Sequence, residues 1–509
     1  MIFLDTPWRH CAASIAYREA CVGTVYSEAV NQLNHVALGW TNLVHGAIFD
    51  VSGVVWLTEG TSRMNQPTLF ELPEERDQPN RPNRPPGKGK PRLRCANRQQ
   101  VTYRAAALDD LLADDHPARL IWQYVDGLDF GPIHEQIRSI EGHAGRSTAD
   151  PKILLALWLY ATFEGVGSAR QLNKLCTMHA AYQWICGDVP MNYHSLADFR
   201  TDHSEFLDEL LTQSVATLMH EGLVTLNRVA QDGMRVRASA GASSFRREKT
   251  LEDCLAEAEE QVQTLRKELE DDPAAANKRQ QAARKRAARE RQQRVKQALE
   301  QLEDVRSKKK AKDRDKARVS TTDPDARVMK MADGGFRPAL NVQFATDTES
   351  QIIVGVEVTN SGSDQGEMSP MVEQIENRYG KPPDEMLIDG GFAKHDDIEK
   401  VSVPHGETTV YAPVMKSRKP DIDTHAPRLS DSPAIAEWRA RMATDEAKEI
   451  YKQRAATAEC VNAIARNRGF WQFRVRGSPK ARTIALWYAL LHNVMRAVTL
   501  RAVPAVPMS

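Results

Sequence analysis

The sequence lacks any run of about 18 uncharged apolar residues, which excludes a membrane span of ordinary length. It lacks a CxxC pair. Its seven cysteines (Cys11, Cys21, Cys95, Cys176, Cys186, Cys254 and Cys460) are odd in number and scattered, so neither a disulfide framework nor a structural zinc site is expected, and a reducing cytoplasm is the natural compartment. The opening MIFLDTPWRHCAASIAYREAC lacks a basic start followed by an apolar stretch, so no signal peptide is expected. Net charge is also missing, because 68 Lys and Arg balance 68 Asp and Glu. What is present fits a folded protein. Hydrophobic residues make up 41% and charged residues 27%, which excludes a mostly disordered chain. The 509 residues predict about three domains at the usual 100–200 residues each.

Residues 1–65 show no clear period or caps and are set apart as an N-terminal extension. Residues 66–96 read as a flexible linker, since seven of the 26 prolines fall between Pro67 and Pro91 among Arg, Lys, Asn and Gly. The pattern over 97–222 is helical. Asp150-Pro151 is a strong helix start for KILLALWLYATFEG, Ser168 opens SARQLNKLCTMH, and a third helix spans residues 193–220. Such a bundle suits either a helix-turn-helix arrangement or a plain helical core. Residues 225–233 read as a strand closed by a turn. Residues 339–347 and 351–360 form a β-branched hairpin, 365–380 a helix, 383–391 a short strand, and 410–414 a further strand candidate. Strands alternating with helices imply a mixed α/β sheet over 223–500, with residues 501–509 as a tail.

Residues 246–320 interrupt that sheet. Leu251, Leu255, Ala258, Val262, Leu265 and Leu269 form a heptad stripe, and a second helical run has Val295, Leu299, Leu302 and Val305 apolar, which predicts an inserted antiparallel helical hairpin broken at Asp272-Pro273. Residues 250–272 hold nine acidic and two basic residues, whereas 278–318 hold seventeen basic and six acidic. The zero net charge therefore hides a strong segregation, whose positive surplus suits either phosphate or mere solvation.

Three acids carry the candidate chemistry. Asp232 closes the strand VAQD, Asp389 closes MLID, and Glu459 sits on a C-terminal helix. Two carboxylates at neighbouring strand ends and a third on a covering helix form an all-oxygen set suited to Mg²⁺ or Mn²⁺, and two such ions can drive phosphoryl transfer. Each acid also has a plainer reading. Asp232-Gly233, Asp389-Gly390 and Asp333-Gly334 all suit hairpin turns, and Glu459 suits an exposed helix face. The surroundings of Glu459 favour the sharper reading. From Lys452 to Arg482 eight basic residues accompany that one acid, with Asn462 and Arg466 following it at helical spacing. Phe470, Trp471 and Phe473 lie among the cations, as base-stacking side chains or as core.

These blocks resemble the DDE transposases of bacterial insertion sequences, in the InsH-like branch. LDDLLADDHPARLIWQYVDGLD and the stretch from Asp150 to Phe199-Arg200 look like the family's N-terminal helical domain. VAQDGMRVRASAG and MLIDGGFAKHDDIE look like the blocks of its two catalytic aspartates, here Asp232 and Asp389. Tyr451, Arg454 and Glu459 followed by Arg466 look like its final signature. Arg466 stands where Lys is usual, and Phe392 where Tyr is frequent.

The resemblance implies an α/β fold with an RNase H-like mixed-sheet catalytic domain. That domain carries the hairpin as an insertion and is preceded by an all-α InsH-like domain. It implies two Mg²⁺ ions (Mn²⁺ substituting) held by Asp232, Asp389 and Glu459, and it demotes Asp333 to a turn. Tyr451, Arg454, Arg466, Arg468, Arg474 and Arg476 are the expected DNA contacts. The implied function is metal-dependent cleavage of double-stranded DNA at element ends and strand transfer into target DNA, by a homodimer or higher oligomer in the bacterial cytoplasm. Two alternatives stay open: a related nuclease that cuts without joining, and a non-catalytic DNA-binding remnant.

Overall fold

The computed structural model describes residues 106–137, 139, 147–271, 278–415 and 423–502. The extension over 1–65, the linker over 66–96, the hairpin tip at Asp272-Pro273 and most of the tail over 501–509 lie outside the described residues. Among the described residues, no helix is long and apolar enough to cross a membrane.

The first layer is helical: α1 (Pro117–Asp126), α2 (Pro151–Phe163), α3 (Ala169–Met178), α4 (Ala180–Cys186), α5 (Tyr193–Asp202) and α6 (Ser204–His220). Local chemistry sets the helix starts. The Asp150 carboxylate accepts from Lys152 N at 2.8 Å with Pro151 at the first helical position, and Ser168 caps α3. The run 193–220 is two helices that meet at His203 rather than one. Helix α2 is apolar on nearly every side and is accordingly buried almost throughout. The Trp158 indole donates to Leu196 O at 2.8 Å and lies under the Arg200 guanidinium, 4.6 Å from the ring centre.

The chain then enters β1 (Arg228–Arg237), leaves it through β2 (Phe245–Arg246), and builds α7 (Glu248–Asp271) and α8 (Lys278–Ser307). It returns through β3 (Val319–Ser320) to β4 (Arg327–Lys330), β5 (Phe336–Asp347) and β6 (Ile353–Thr359). After α9 (Met368–Tyr379) come β7 (Glu385–Leu387), α10 (His395–Val401) and β8 (Thr409–Tyr411). The sheet is mixed, in the order β5-β1-β7-β8, with β4 and β6 both pairing β5. β5 runs antiparallel to β1, β4 and β6, whereas β1, β7 and β8 run parallel.

The expected turn at Asp232-Gly233 does not form, because β1 continues to Arg237. Asp232 and Gly233 sit mid-ladder opposite Phe344 and Gln343. Tertiary packing overrides the turn preference of Asp-Gly here. A Cβ on Gly233 would lie 2.3 Å from Asp364 Oδ1, so a polar cluster of Asp364, Asn341 and Gln343 fills the space a side chain would need. Asp333 does make a turn: its Oδ1 accepts from Gly335 N at 3.0 Å, and Gly334 takes φ +81°.

Helices α7 and α8 lie antiparallel. Arg291 reaches Glu257 at 3.1 Å, Lys296 reaches Glu259 at 3.4 Å, and Arg306 pairs with Glu248. Leu251, Ala298 and Leu302 are buried between them and β3. The arm meets the body through a two-residue ladder in which Phe245 pairs with Ser320 and Arg246 with Val319. The chain closes with α11 (Pro433–Ala443), α12 (Asp445–Arg454), a π-helical turn (Ala455–Glu459), α13 (Cys460–Asn467) and α14 (Ser478–Ala502). Helix α14 ties the helical layer to the sheet: Trp487 Nε1 donates to Arg200 O at 3.0 Å, and Asn493 holds Ile353 through both its backbone groups.

Candidate active site

Asp232 projects from the middle of β1 toward α13. Its Oδ2 accepts from Asn462 Nδ2 at 2.9 Å and its Oδ1 from Gly233 N at 3.0 Å. Arg454 stands between two of the expected acids, with Nη1 3.8 Å from Asp232 Oδ1 and Nη2 3.2 Å from Glu459 Oε1. Asp389 follows β7, the parallel neighbour of β1, and its Oδ1 accepts from Gly391 N at 2.7 Å. Its charge is felt at Asp232, Tyr451 and Arg454.

The electrostatics are unbalanced. Burial pushes the Asp232 carboxyl up to about 6; Arg454 opposes that rise, and Asp389 adds to it. Burial likewise raises Tyr451, against the pull of Arg454. For Arg454, burial works against the charge, but Tyr451, Asp232, Asp389 and Glu459 outweigh it and hold the guanidinium more firmly protonated.

The turn that carries Glu459 explains the pairing. On an α-helix, residues five apart do not face each other, because neighbours on one face are three or four apart. The π turn over Ala455–Glu459 closes i to i+5, so Arg454 and Glu459 meet. On a regular α-helix Glu459, Asn462 and Arg466 would share one face. Instead Glu459 turns to Arg454, Asn462 to Asp232, and Arg466 to the Trp471 ring, 5.9 Å from its centre.

The remaining cations divide. Arg474 and Arg476 are exposed. The Arg468 guanidinium lies over Phe163, 5.5 Å from the ring centre, where burial lowers its pKa, so its surroundings are those of a packing residue. The aromatic alternatives separate as well. Phe470 and Phe473 are each 2% exposed and belong to the core, whereas Trp471 is 60% exposed. Asp364 carries no sequence motif, yet its carboxylate gathers Asn341, Gln343 and Arg235 behind the strand that holds Asp232. A glycine in mid-strand was the available signal, since it marks close approach by another group.

Among the described residues, no three Asp, Glu, His or Cys side chains stand close enough to hold a metal ion. A guanidinium occupies the space between the acids instead. The donors nevertheless suit a hard divalent cation. They are all oxygen, and Asn462 Oδ1 beside Asp232 is buried without a hydrogen-bond partner.

Residues 106–202 match the family model described as Transposase domain (DUF772), and residues 313–494 match the Transposase DDE domain. The second match contains Asp389 and Glu459 and begins after Asp232. Comparison with curated proteins and with solved structures gives no match. With a transposase domain followed by a transposase DDE domain around a mixed sheet, the chain belongs to the DDE transposases of the insertion-sequence type.

Proposed function

We propose that this protein cuts double-stranded DNA at the ends of an insertion sequence and joins the freed ends to target DNA, using divalent ions held by Asp232, Asp389 and Glu459. The observation that carries the reading is the meeting of Asp232 and Glu459 at the Arg454 guanidinium, with Asp389 near enough to raise the Asp232 pKa. The strand order, with three antiparallel strands followed by two parallel ones, supports an RNase H-like catalytic domain over 223–500. Residues 97–222 are then the helical end-recognition domain, and 246–320 an arm inserted into the catalytic one.

Bound Mg²⁺ or Mn²⁺, two ions in all, would supply Lewis-acid activation of the attacking oxygen and stabilisation of the leaving one. The chain's own residues do the rest. Asn462 fixes one oxygen of Asp232 and the Gly233 amide the other, so that carboxylate is held rigid. Arg454 balances the acids without DNA and is free to turn to a phosphate once they are otherwise neutralised. Arg466, Arg474 and Arg476 track the backbone, and Tyr451 lies one helical turn before Arg454. Pairing two ends calls for two such sites, hence an oligomer on DNA.

Incubation of labelled duplexes carrying the sequences that flank the coding region, with Mg²⁺ or Mn²⁺, tests this. Nicks at defined ends and joined products are expected, both abolished by Asp232→Asn, Asp389→Asn or Glu459→Gln. Cleavage that survives all three substitutions overturns the assignment. Cutting without joining assigns a nuclease instead.

A further inference from the structure

At the root of the inserted arm lies a second site that the acids do not explain. A cavity of about 260 Å³ is lined by Arg291, Arg294 and Val295 of α8, Cys254 of α7, Thr321 and Thr322 after β3, and Arg476 from the loop before α14. Three guanidiniums and two hydroxyl side chains meet there, and no carboxylate among the described residues lines it.

The nearby acids only partly balance these cations. Arg291 is paired, through Glu257 at 3.1 Å and Gln261 at 3.2 Å. Among the described residues Arg294 pairs only with Glu290, at 3.9 Å, and its Nε is buried without a hydrogen-bond partner. Arg476 feels the buried Asp323 but makes no ion pair within 4.0 Å among the described residues. Burial disfavours the Arg294 charge most, and Arg476 and Arg291 add to that against the pull of Glu290. Like charges gathered around a hollow cost energy unless an anion fills it.

We propose that this cavity is a seat for a backbone phosphate of duplex DNA, clamped between the inserted arm and the catalytic body. It rests on the reading that the chain acts on DNA, and adds to it a contact remote from the acids. Guanidinium forks match the two free oxygens of a phosphodiester, and a threonine hydroxyl can donate to the same group. The surroundings favour nucleic acid over a small anion. Residues 278–318 carry seventeen basic residues to six acidic, and Arg476 belongs to the basic segment Lys452–Arg482 that contains Glu459. That loop also runs along β1: Trp471 O accepts from Arg237 N, and Phe473 N donates to Arg237 O. Arg237 is five residues past Asp232, about 16 Å along a strand at roughly 3.3 Å per residue. Arg476 follows Phe473 by three residues, so this loop leads from the strand of Asp232 to the cavity lining.

The test uses the full-length protein without divalent ions and a labelled random-sequence duplex, titrated at several salt concentrations. The pair Arg294→Gln with Arg476→Gln is expected to weaken binding severalfold and to lower the slope of log K against log salt by about one, the loss of one phosphate contact. Arg294→Lys with Arg476→Lys should keep most of that slope while losing part of the affinity. Thr322→Asp sets a carboxylate among the guanidiniums. It should raise the Tm while weakening DNA binding, a pairing of effects that a purely structural role for these arginines would not give. Unchanged affinity and slope in folded Gln and Asp variants overturn the proposal. So does stabilisation of the parent alone by inorganic phosphate with duplex binding unaffected, which would assign a free anion to the cavity. If the parent itself binds no duplex, the transposase reading fails, and not this seat alone.

Discussion

Arg454 and Asp232 set the behaviour of the resting site, and their charges give predictions at the residue scale. A carboxyl whose folded pKa lies above its free value favours the fold when protonated. For Asp232 that contribution is complete below its ordinary 3.8 and is lost as pH rises through about 6. In EDTA, Asp232→Asn should therefore be more stable than the parent at pH 8, by on the order of 1–3 kcal/mol, and the difference should vanish below pH 4. Chemical denaturation across that range measures it. Protons should also compete with Mn²⁺ for Asp232 below about pH 6, which calorimetry would show as falling affinity. Arg454→Gln removes the countercharge from two carboxylates. It should cost about 1–3 kcal/mol in EDTA, and added Mn²⁺ should restore more stability to the variant than to the parent.

At the scale of elements, the site depends on one irregular turn and one bare strand position. Inserting an alanine after Ala456 would set Arg454 and Glu459 six residues apart and turn Glu459 off their shared face by roughly 100°. Cleavage should fall by more than about a hundredfold, while circular dichroism stays near that of the parent and duplex binding persists. Gly233→Ala should destabilise by about 1–3 kcal/mol, because its Cβ would sit 2.3 Å from Asp364 Oδ1 and 2.7 Å from Gln343 Nε2. These two elements also mark the limit of what the sequence could tell. Helix starts at Asp150 and Ser168 were legible, because a cap is chemistry among residues two or three apart. Strand positions near 339–347 and 351–360 were legible from their β-branched content. Asp232-Gly233 looked the same as the true turn at Asp333-Gly334, because what separates them is the distant Asp364 and the long ladder with β5. The π turn has no pattern of its own in AATAE, so the meeting of Arg454 with Glu459 could not be read from spacing.

For the whole molecule, the helical layer and the sheet are joined by aromatic packing around a buried cation. Trp158, Arg200, Phe199 and Trp487 form that junction: the Arg200 guanidinium lies over Trp158, its pKa drawn down to about 10 by burial, and Phe199 packs near Trp487. Phe199-Arg200 stood out in the sequence only through the family resemblance, and Arg468 read there as one more DNA contact although it packs on Phe163. Burial of a charge is decided by which distant ring it meets, so composition could not reveal either. Trp158→Ala should cost about 3–5 kcal/mol and lower the Tm of the whole described region together, rather than releasing the helical layer alone. Calorimetry would show one transition shifted or two resolved.

The two-residue neck of β2 and β3 has a practical consequence. Phe245 and Ser320 are already partners across a ladder, so a short loop could join them and omit everything between. Such a shortened chain would keep every strand of the main sheet and all three acids. Grip and chemistry would then become separable quantities: whatever duplex affinity disappears belongs to the arm, and whatever turnover remains at saturating DNA belongs to the body.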